Sequence, residues 1–293
     1  MNRTPRRAAR LASAVALLLA TAAMADAAQA PVVPTPQQLA APAGEGSIIR
    51  QQRMKKLVAH LVVEPETLAR QCRYESEING APPDKVVALT FDDGPDPIHT
   101  PLILAVLAKY HVPATFFMIG EKAEAHPELV GLVAQSPYAL VGGHSWSHPN
   151  FHDIPVTAQL QELAQDGRLL PASTDARLFR YPYGNSTCES NTALHAANFK
   201  IVGWNVDSCD WAFDHHGAVD AKEALSCGVL PQNRANYQQH VLASVHAHRG
   251  GIILMHEIHA HTIVQLDQIV AQLLADGYSF ARMNEARMAP LLR

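Results

Sequence analysis

None of the four cysteines, Cys72, Cys188, Cys209 and Cys227, belongs to a CxxC pair, which excludes a cysteine-rich zinc module. Aromatic residues are scarce, at 6% of 293 positions, and charged residues reach only 17%. No internal repeat is present, and 48% hydrophobic residues exclude collagen-like or wholly disordered chains. There is no basic stripe, and the formal net charge is −4. After residue 25 no run is apolar enough to span a bilayer, which takes about 20 residues. Nucleic acid is therefore a poor partner, whereas a neutral glycan meets no electrostatic barrier.

The N-terminus has what the rest lacks. Arg3, Arg6, Arg7 and Arg10 precede the apolar run LASAVALLLATAAMA (11–25), which ends in the small-residue pattern Ala23-Met24-Ala25. This reads as a cleavable secretory signal over 1–25, giving a secreted or periplasmic protein without a membrane anchor. Its removal takes four of the 23 basic residues, leaving 19 against 27 acidic ones, a balance of −8. An oxidising compartment favours disulfides. Four cysteines allow three pairings, and a bridge within 188–227 is expected because three of them crowd there.

Residues 26–46 are proline-rich and read as a linker, and 47–83 as a helical extension ending at Pro82-Pro83. From 84 to 290 strands and helices alternate. Continuous apolar runs mark strands buried on both faces: VVALTF (86–91), ATFFMIG (114–120), YALVGG (138–143) and GGIILMH (250–256). RLFRYP (177–182), IVGWNVD (201–207) and YSFARM (278–283) read as further strands. Thr100 and Thr262 are expected to cap helices, with Leu102, Val106 and Leu107 on one buried face of the first. Further helices are read at His126-Pro127, 157–169 and 191–198. The expected fold is α/β, a distorted (β/α) barrel of about seven parallel strands with outer helices.

In such barrels the loops after strand C-termini carry chemistry. Asp92-Asp93 follow the first strand, and neighbouring side chains on an extended segment point to opposite sides, so one can ligate a metal while the other acts as base. His144 and His148 are four apart, so one helical turn would put both imidazoles on one face as a metal bite. Neither pair is a HExxH helix, since position 145 is Ser, and His256-Glu257 also fails that test because position 260 is Ala. The bland readings are a solvated turn and two surface histidines.

TFDDGP (90–95), HSWSH (144–148), RYPYG (180–184), DSCDW (207–211) and LMH (254–256) occur in this order. Over about residues 84–290 the chain resembles the polysaccharide deacetylase family, carbohydrate esterase family 4. The resemblance implies Asp93, His144 and His148 as metal ligands, for Zn²⁺ or else Co²⁺ or Ni²⁺. It implies Asp92 as general base, Arg180 as its partner, His256 as general acid and Asp210 as the carboxylate orienting that imidazole. Tyr183 would offer its backbone N–H to the oxyanion, and Trp211 and Leu254 would line the acetyl pocket.

The implied activity is exported, metal-dependent de-N-acetylation of an amino-sugar glycan of peptidoglycan, chitin or poly-N-acetylglucosamine type, releasing acetate. An O-acetyl xylan esterase is the alternative enzyme. A non-catalytic glycan-binding member would show a lost ligand, base or acid, and none is lost. There are departures from the family pattern: Glu257 stands where aspartate is commoner, and Gly142-Gly143 precede His144 where a bulkier polar residue is usual. Glu257 is expected to stay outside the mechanism, and residues 212–245 to form a lid or groove wall. His246/His248 and His259/His261, each spaced by two, could share strand faces as solvated histidines or a second metal site.

Overall fold

The computed structural model describes residues 81–169 and 177–293. The signal segment 1–25, the linker 26–46, most of the 47–83 extension and Cys72 lie outside the described residues.

Eight strands form one sheet: β1 (Val86–Gly94), β2 (Ala114–Met118), β3 (Ala139–Gly143), β4 (Arg177–Phe179), β5 (Phe199–Ile201), β6 (Val206–Asp207), β7 (Gly250–His256) and β8 (Ser279–Phe280). Their order is β5-β4-β3-β2-β1-β7-β6, with β8 beside the start of β1, and every strand pairing is parallel. The sheet curls into a half-barrel surrounded by helices, the α/β distorted barrel expected. The helices are α1 (His99–Tyr110), α2 (Gly120–Ala125), α3 (Pro127–Gln135), α4 (Val156–Leu169), α5 (Cys188–Ala196), α6 (Asp210–His216), α7 (Ala221–Cys227), α8 (Tyr237–His248) and α9 (Ala260–Ala275). Among the described residues no helix is long and apolar enough to cross a membrane.

The alternation of β1 sorts its side chains into two cores. Val87, Leu89 and Phe91 join the cluster beneath the helices, with Ile103 and Leu107 of α1 and Leu266, Ile269, Val270 and Leu273 of α9. Each such aliphatic side chain contributes about 2 kcal/mol by leaving water. Val86 and Ala88 face the other way, among Phe117, Leu178, Val202, Ile252, Met283 and Met288. Farther up β1 that same inner row reads Thr90 and then Asp92. The barrel interior thus turns from apolar to polar towards the strand C-termini.

Several expectations are corrected. IVGWNVD is not one strand. It supplies β5 at one edge and β6 at the other, with Gly203, Trp204 and Asn205 crossing the gap between edges. YSFARM contributes only two strand residues, Ser279 and Phe280. Thr100 and Thr262 are not caps: both lie inside their helices, buried, and donate their hydroxyl protons to carboxylates, while Thr100 Oγ1 also accepts from the Asp96 backbone N–H ahead of the helix. Leu102 is exposed, and Ile103 takes the buried place beside Leu107. The helix read at 191–198 begins earlier, at Cys188, where Thr187 caps it in a capping box with Ser190.

Residues 212–245 are not a lid. Phe213, Val219, Ala224, Val229, Tyr237, Val241 and Val245 belong to the outer hydrophobic core. Cys209 is disulfide-bonded to Cys227, joining the loop after β6 to the end of α7, as expected within 188–227. Cys188 is disulfide-bonded as well.

Candidate active site

β1 and β7 run side by side with Asp92 in register with His256 and Thr90 with Leu254. The carboxylate and imidazole therefore lie on one face of neighbouring strands at their C-terminal ends. Leu254 is buried one step below His256 on that face. By alternation Asp93 should point away, but it does not. The β1–β2 register slips between Asp92 and Gly94, and Asp93 sits at φ 71. This bulge returns the second aspartate to the same side as the first.

His144 and His148 come together on a loop and not on a helical turn, which corrects the expected geometry. Ser145 and His148 take left-handed conformations, at φ 68 and 60, and the two imidazoles meet edge-on with centroids 4.9 Å apart. His144 Nδ1–H donates to the Arg180 carbonyl at 2.7 Å, which fixes the tautomer and leaves Nε2 facing Asp93 Oδ1 at 3.5 Å. His148 Nε2 faces the same oxygen at 3.2 Å. One donor atom from each of Asp93, His144 and His148 lies within 4.8 Å of the others.

The donor set fits a divalent metal. Asp93 Oδ1 is buried and makes no hydrogen bond of ordinary geometry, although two imidazoles converge on it. Burial would push the Asp93 carboxyl up, but the two histidines outweigh it and hold it well below the usual carboxylate range. Burial likewise lowers His144, and Asp92 and Asp93 more than reverse this, so the pair of carboxylates favours a positive charge here. One carboxylate and two imidazoles with room for further ligands is the pattern of an open metal site.

Behind Asp92 stands Arg180, wholly buried. Its Nη1 donates to Asp92 Oδ1 at 2.8 Å and to Thr90 Oγ1 at 2.7 Å. Nε and Nη2 donate to the carbonyls of Val202, just after β5, and Gly203, the first residue to cross the gap. The guanidinium lies over the Phe117 ring at 4.4 Å. Four of the five N–H donors of this buried cation are engaged, which fixes the Asp92 carboxylate against it.

Behind His256 stands Asp210, also wholly buried. His256 Nδ1–H donates to Asp210 Oδ1 at 2.7 Å, and the His256 backbone N–H donates to Oδ2 at 2.7 Å. Burial alone would lower the imidazole, but Asp210 against it, with Asp93 and Asp92 beyond, raises it to about 10. His259 stands edge-on to His256 at 5.4 Å, and a donor atom from each of Asp210, His256 and His259 also lies within 4.8 Å of the others. Four hydrogen bonds already occupy both Asp210 oxygens, which leaves this group poorly suited to a second metal.

Tyr183 lies in the Pro182–Gly184 turn at φ 59, 56% exposed, with its ring edge-on to His148 at 4.9 Å. Trp211 donates its backbone N–H to Asp210 and packs its half-buried ring on the outer core. Trp204 packs on the inner core. His259 and His261 do not share a strand face. They flank the start of α9 and both address Asp214, at 3.3 Å each. His246 and His248 sit in the last turn of α8, where His246 meets Asp276. Sequence reasoning missed one buried carboxyl beside the His144 loop, Asp166, and named Glu257 without foreseeing its burial. The paired glycines before His144 were the available signal for Asp166.

The fold and these clusters define a parallel α/β half-barrel with three residues able to hold a metal at its C-terminal rim. A family model described as polysaccharide deacetylase matches residues 79–202. The chain is 37% identical over 176 residues to a chitooligosaccharide deacetylase of Sinorhizobium fredii, covering 58% of this chain and 71% of that one. It is 30% identical over 211 residues to a peptidoglycan-N-acetylglucosamine deacetylase of Listeria monocytogenes, covering 71% of this chain and only 40% of the relative's length. Among solved structures, a peptidoglycan N-acetylglucosamine deacetylase superposes with a TM-score of 0.57 at 28% identity, over 75% of this chain and 94% of that one. The chain belongs to the polysaccharide deacetylase family, carbohydrate esterase family 4.

Proposed function

We propose that this protein is an exported, zinc-type metal-dependent de-N-acetylase of amino-sugar glycans. The observation that carries the reading is the pairing of Asp92 and His256 across β1 and β7, each braced from behind by a buried opposite charge, beside the Asp93–His144–His148 cluster.

A divalent metal on that cluster supplies Lewis acidity towards the acetyl carbonyl and the attacking water. Asp92, oriented by Arg180, takes the proton of that water as it attacks the carbonyl carbon. His256, held charged by Asp210, gives its proton to the departing nitrogen. The Tyr183 backbone N–H helps to hold the developing oxyanion, and Leu254 and Trp211 bound the acetyl methyl. The products are acetate and a free amino sugar. The relatives' activities on peptidoglycan and chitooligosaccharide support an N-acetylated glycan as substrate. The basic and apolar N-terminal residues and the Cys209–Cys227 bridge support export to an oxidising compartment.

The test is acetate release from peptidoglycan, chitooligosaccharides, poly-N-acetylglucosamine and acetylxylan, after chelation and after adding zinc or cobalt. Release from an N-acetylated glycan that chelation abolishes and metal restores is the expected result. Full turnover in thoroughly demetallated protein, or release from acetylxylan alone, overturns the reading.

A further inference from the structure

The segment between the fourth and fifth motifs offers nothing recognisable in sequence, yet it reaches the acid. Helix α8 is fastened to the loop after β6, where the buried His240 imidazole donates through Nε2–H to the Asp207 carbonyl at 2.9 Å. One turn earlier Tyr237, also buried, places its hydroxyl 3.1 Å from Thr262 Oγ1 on α9. Thr262 in turn donates to Asp210 Oδ2 at 2.5 Å.

The direction of this chain follows from proton counting. A hydroxyl carries one proton. Thr262 spends its proton on the carboxylate, so between the two hydroxyls Tyr237 is the donor. Burial, with the negative Asp210 nearby, pushes the Tyr237 phenol far above its ordinary value, so that proton stays on Tyr237. Each Asp210 oxygen then accepts two hydrogen bonds, from Trp211 N–H and His256 Nδ1–H on one side and from His256 N–H and Thr262 on the other. With all four acceptor positions filled, the carboxylate has one orientation. That orientation aims the His256 ring.

We propose that Thr262 and Tyr237 are positioning residues for the general acid, a hydroxyl chain from α8 through α9 that fixes the carboxylate behind His256. The inference rests on the proposed reading of His256 as the acid. Without the Thr262 donor a buried carboxylate oxygen loses one of its two partners, and Asp210 is free to rotate away from Nδ1. The cost then falls on the step that needs a positioned proton. Cleavage of an amide requires protonation of the departing amine, whereas an activated aryl acetate releases a stable oxyanion without it.

The experiment uses the full chain loaded with zinc, as the variants T262V, T262S, Y237F and H256A. Turnover is measured on an N-acetylglucosamine oligomer and on 4-nitrophenyl acetate, with metal content and thermal midpoint recorded. T262V should lose about tenfold in kcat on the oligomer at unchanged KM, and less than about twofold on the aryl ester. Y237F should lose about threefold with the same selectivity, and T262S should recover most of the T262V loss. The downfield Nδ1–H proton resonance of His256 should shift or broaden in T262V and return in T262S, a readout independent of turnover.

Equal losses on both substrates, or a T262S no better than T262V, would overturn the proposal and leave Thr262 as packing. If T262V fails to fold, Y237F and T262S still decide by the same selectivity. H256A separates the two levels. A selective H256A with unselective Thr262 and Tyr237 variants removes only the hydroxyl chain, whereas an unselective H256A removes the acid assignment and the chain with it.

Discussion

The carboxyl of Glu257 occupies the space that a β-carbon on Gly94 would take. Its backbone N–H donates to the Asp92 carbonyl at 3.0 Å, and its Oε2 accepts from the Thr100 hydroxyl at 3.0 Å. The same arrangement recurs on the other ligand loop, where the Asp166 carboxyl fills the place of a side chain at Gly143, next to His144. Burial pushes Glu257 up to about 8 and Asp166 up to about 7, so both carry less charge near neutral pH than an ordinary carboxylate, Glu257 least. The two departures from the family pattern therefore share one cause: a glycine beside a metal-ligand residue leaves room for a buried carboxyl. Glu257 touches no reacting atom, as expected, but it supports the bulge that turns Asp93 into the site.

A double-mutant cycle tests this shared space. Gly94→Ala should destabilise by about 2 kcal/mol through overpacking against Glu257, and Glu257→Ala by a similar amount through the cavity it leaves. The double variant should cost less than the sum by about 1 kcal/mol or more, measured by chemical denaturation. Additive losses would show that the two residues do not compete for the same volume.

The adjacent aspartates should separate cleanly. Asp92→Asn alters a group whose Oδ1 is engaged by Arg180 and which is not one of the three clustered donors. It should retain metal while turnover falls by about 10²–10⁴-fold. Asp93→Asn removes the oxygen on which both imidazoles converge, so metal affinity should fall by at least about tenfold. Elemental analysis alongside acetate release checks both, and the reverse pattern would exchange the two roles.

The legible part of this protein follows from physics that is local in sequence. Strands β1, β2, β3 and β7 were readable because a strand covered on both faces must be apolar throughout. The site residues were readable because barrel chemistry collects just after such runs and because five motifs recur in order. What failed depended on partners remote in the chain. Gly203-Trp204-Asn205 reads as strand interior, but it bridges opposite sheet edges and offers the Gly203 carbonyl to Arg180. Thr262 looks like a cap to any local rule, and only the fold brings Asp210, 52 residues away, to its hydroxyl. Left-handed residues at Ser145 and His148 defeat an i, i+4 argument that assumes helical backbone. An acidic residue on a helix reads as solvent-facing, so Asp166 in α4 gave no local sign of burial.

The Cys209–Cys227 bridge closes a loop of 18 residues directly beside Asp210. In the chain-entropy account such a loop contributes about 3 kcal/mol to stability. The Cys209→Ala/Cys227→Ala double variant should melt several degrees lower, and non-reducing mass mapping of the wild-type chain should find this pair joined. An unchanged melting temperature would mean that the bridge constrains nothing the rest of the fold does not already hold.

The pH dependence of turnover should carry the signature of the raised His256. Burial lowers the imidazole, and Asp210, Asp93 and Asp92 raise it more, moving it from 6.5 to about 10. The positively charged form is thus favoured by folding. The stability it contributes is complete below about pH 6.5 and is lost as pH rises through about 10. Around the ring stand Asp210 from α6, Asp92 and Asp93 from β1, and His259 ahead of α9, which opposes the charge when protonated itself. A divalent cation at Asp93 cancels much of what the two β1 carboxylates add, but it leaves Asp210 in place. The alkaline limb of kcat on an N-acetyl substrate should therefore fall between these limits, above 6.5 and below about 10. Asp210→Asn should move that limb down by about one pH unit or more, because the neutral amide no longer favours the imidazolium. On an aryl acetate, which needs no proton donor, the limb should be weak in both proteins. A limb that stays put in Asp210→Asn, or one equally strong on both substrates, would assign it to some group other than His256.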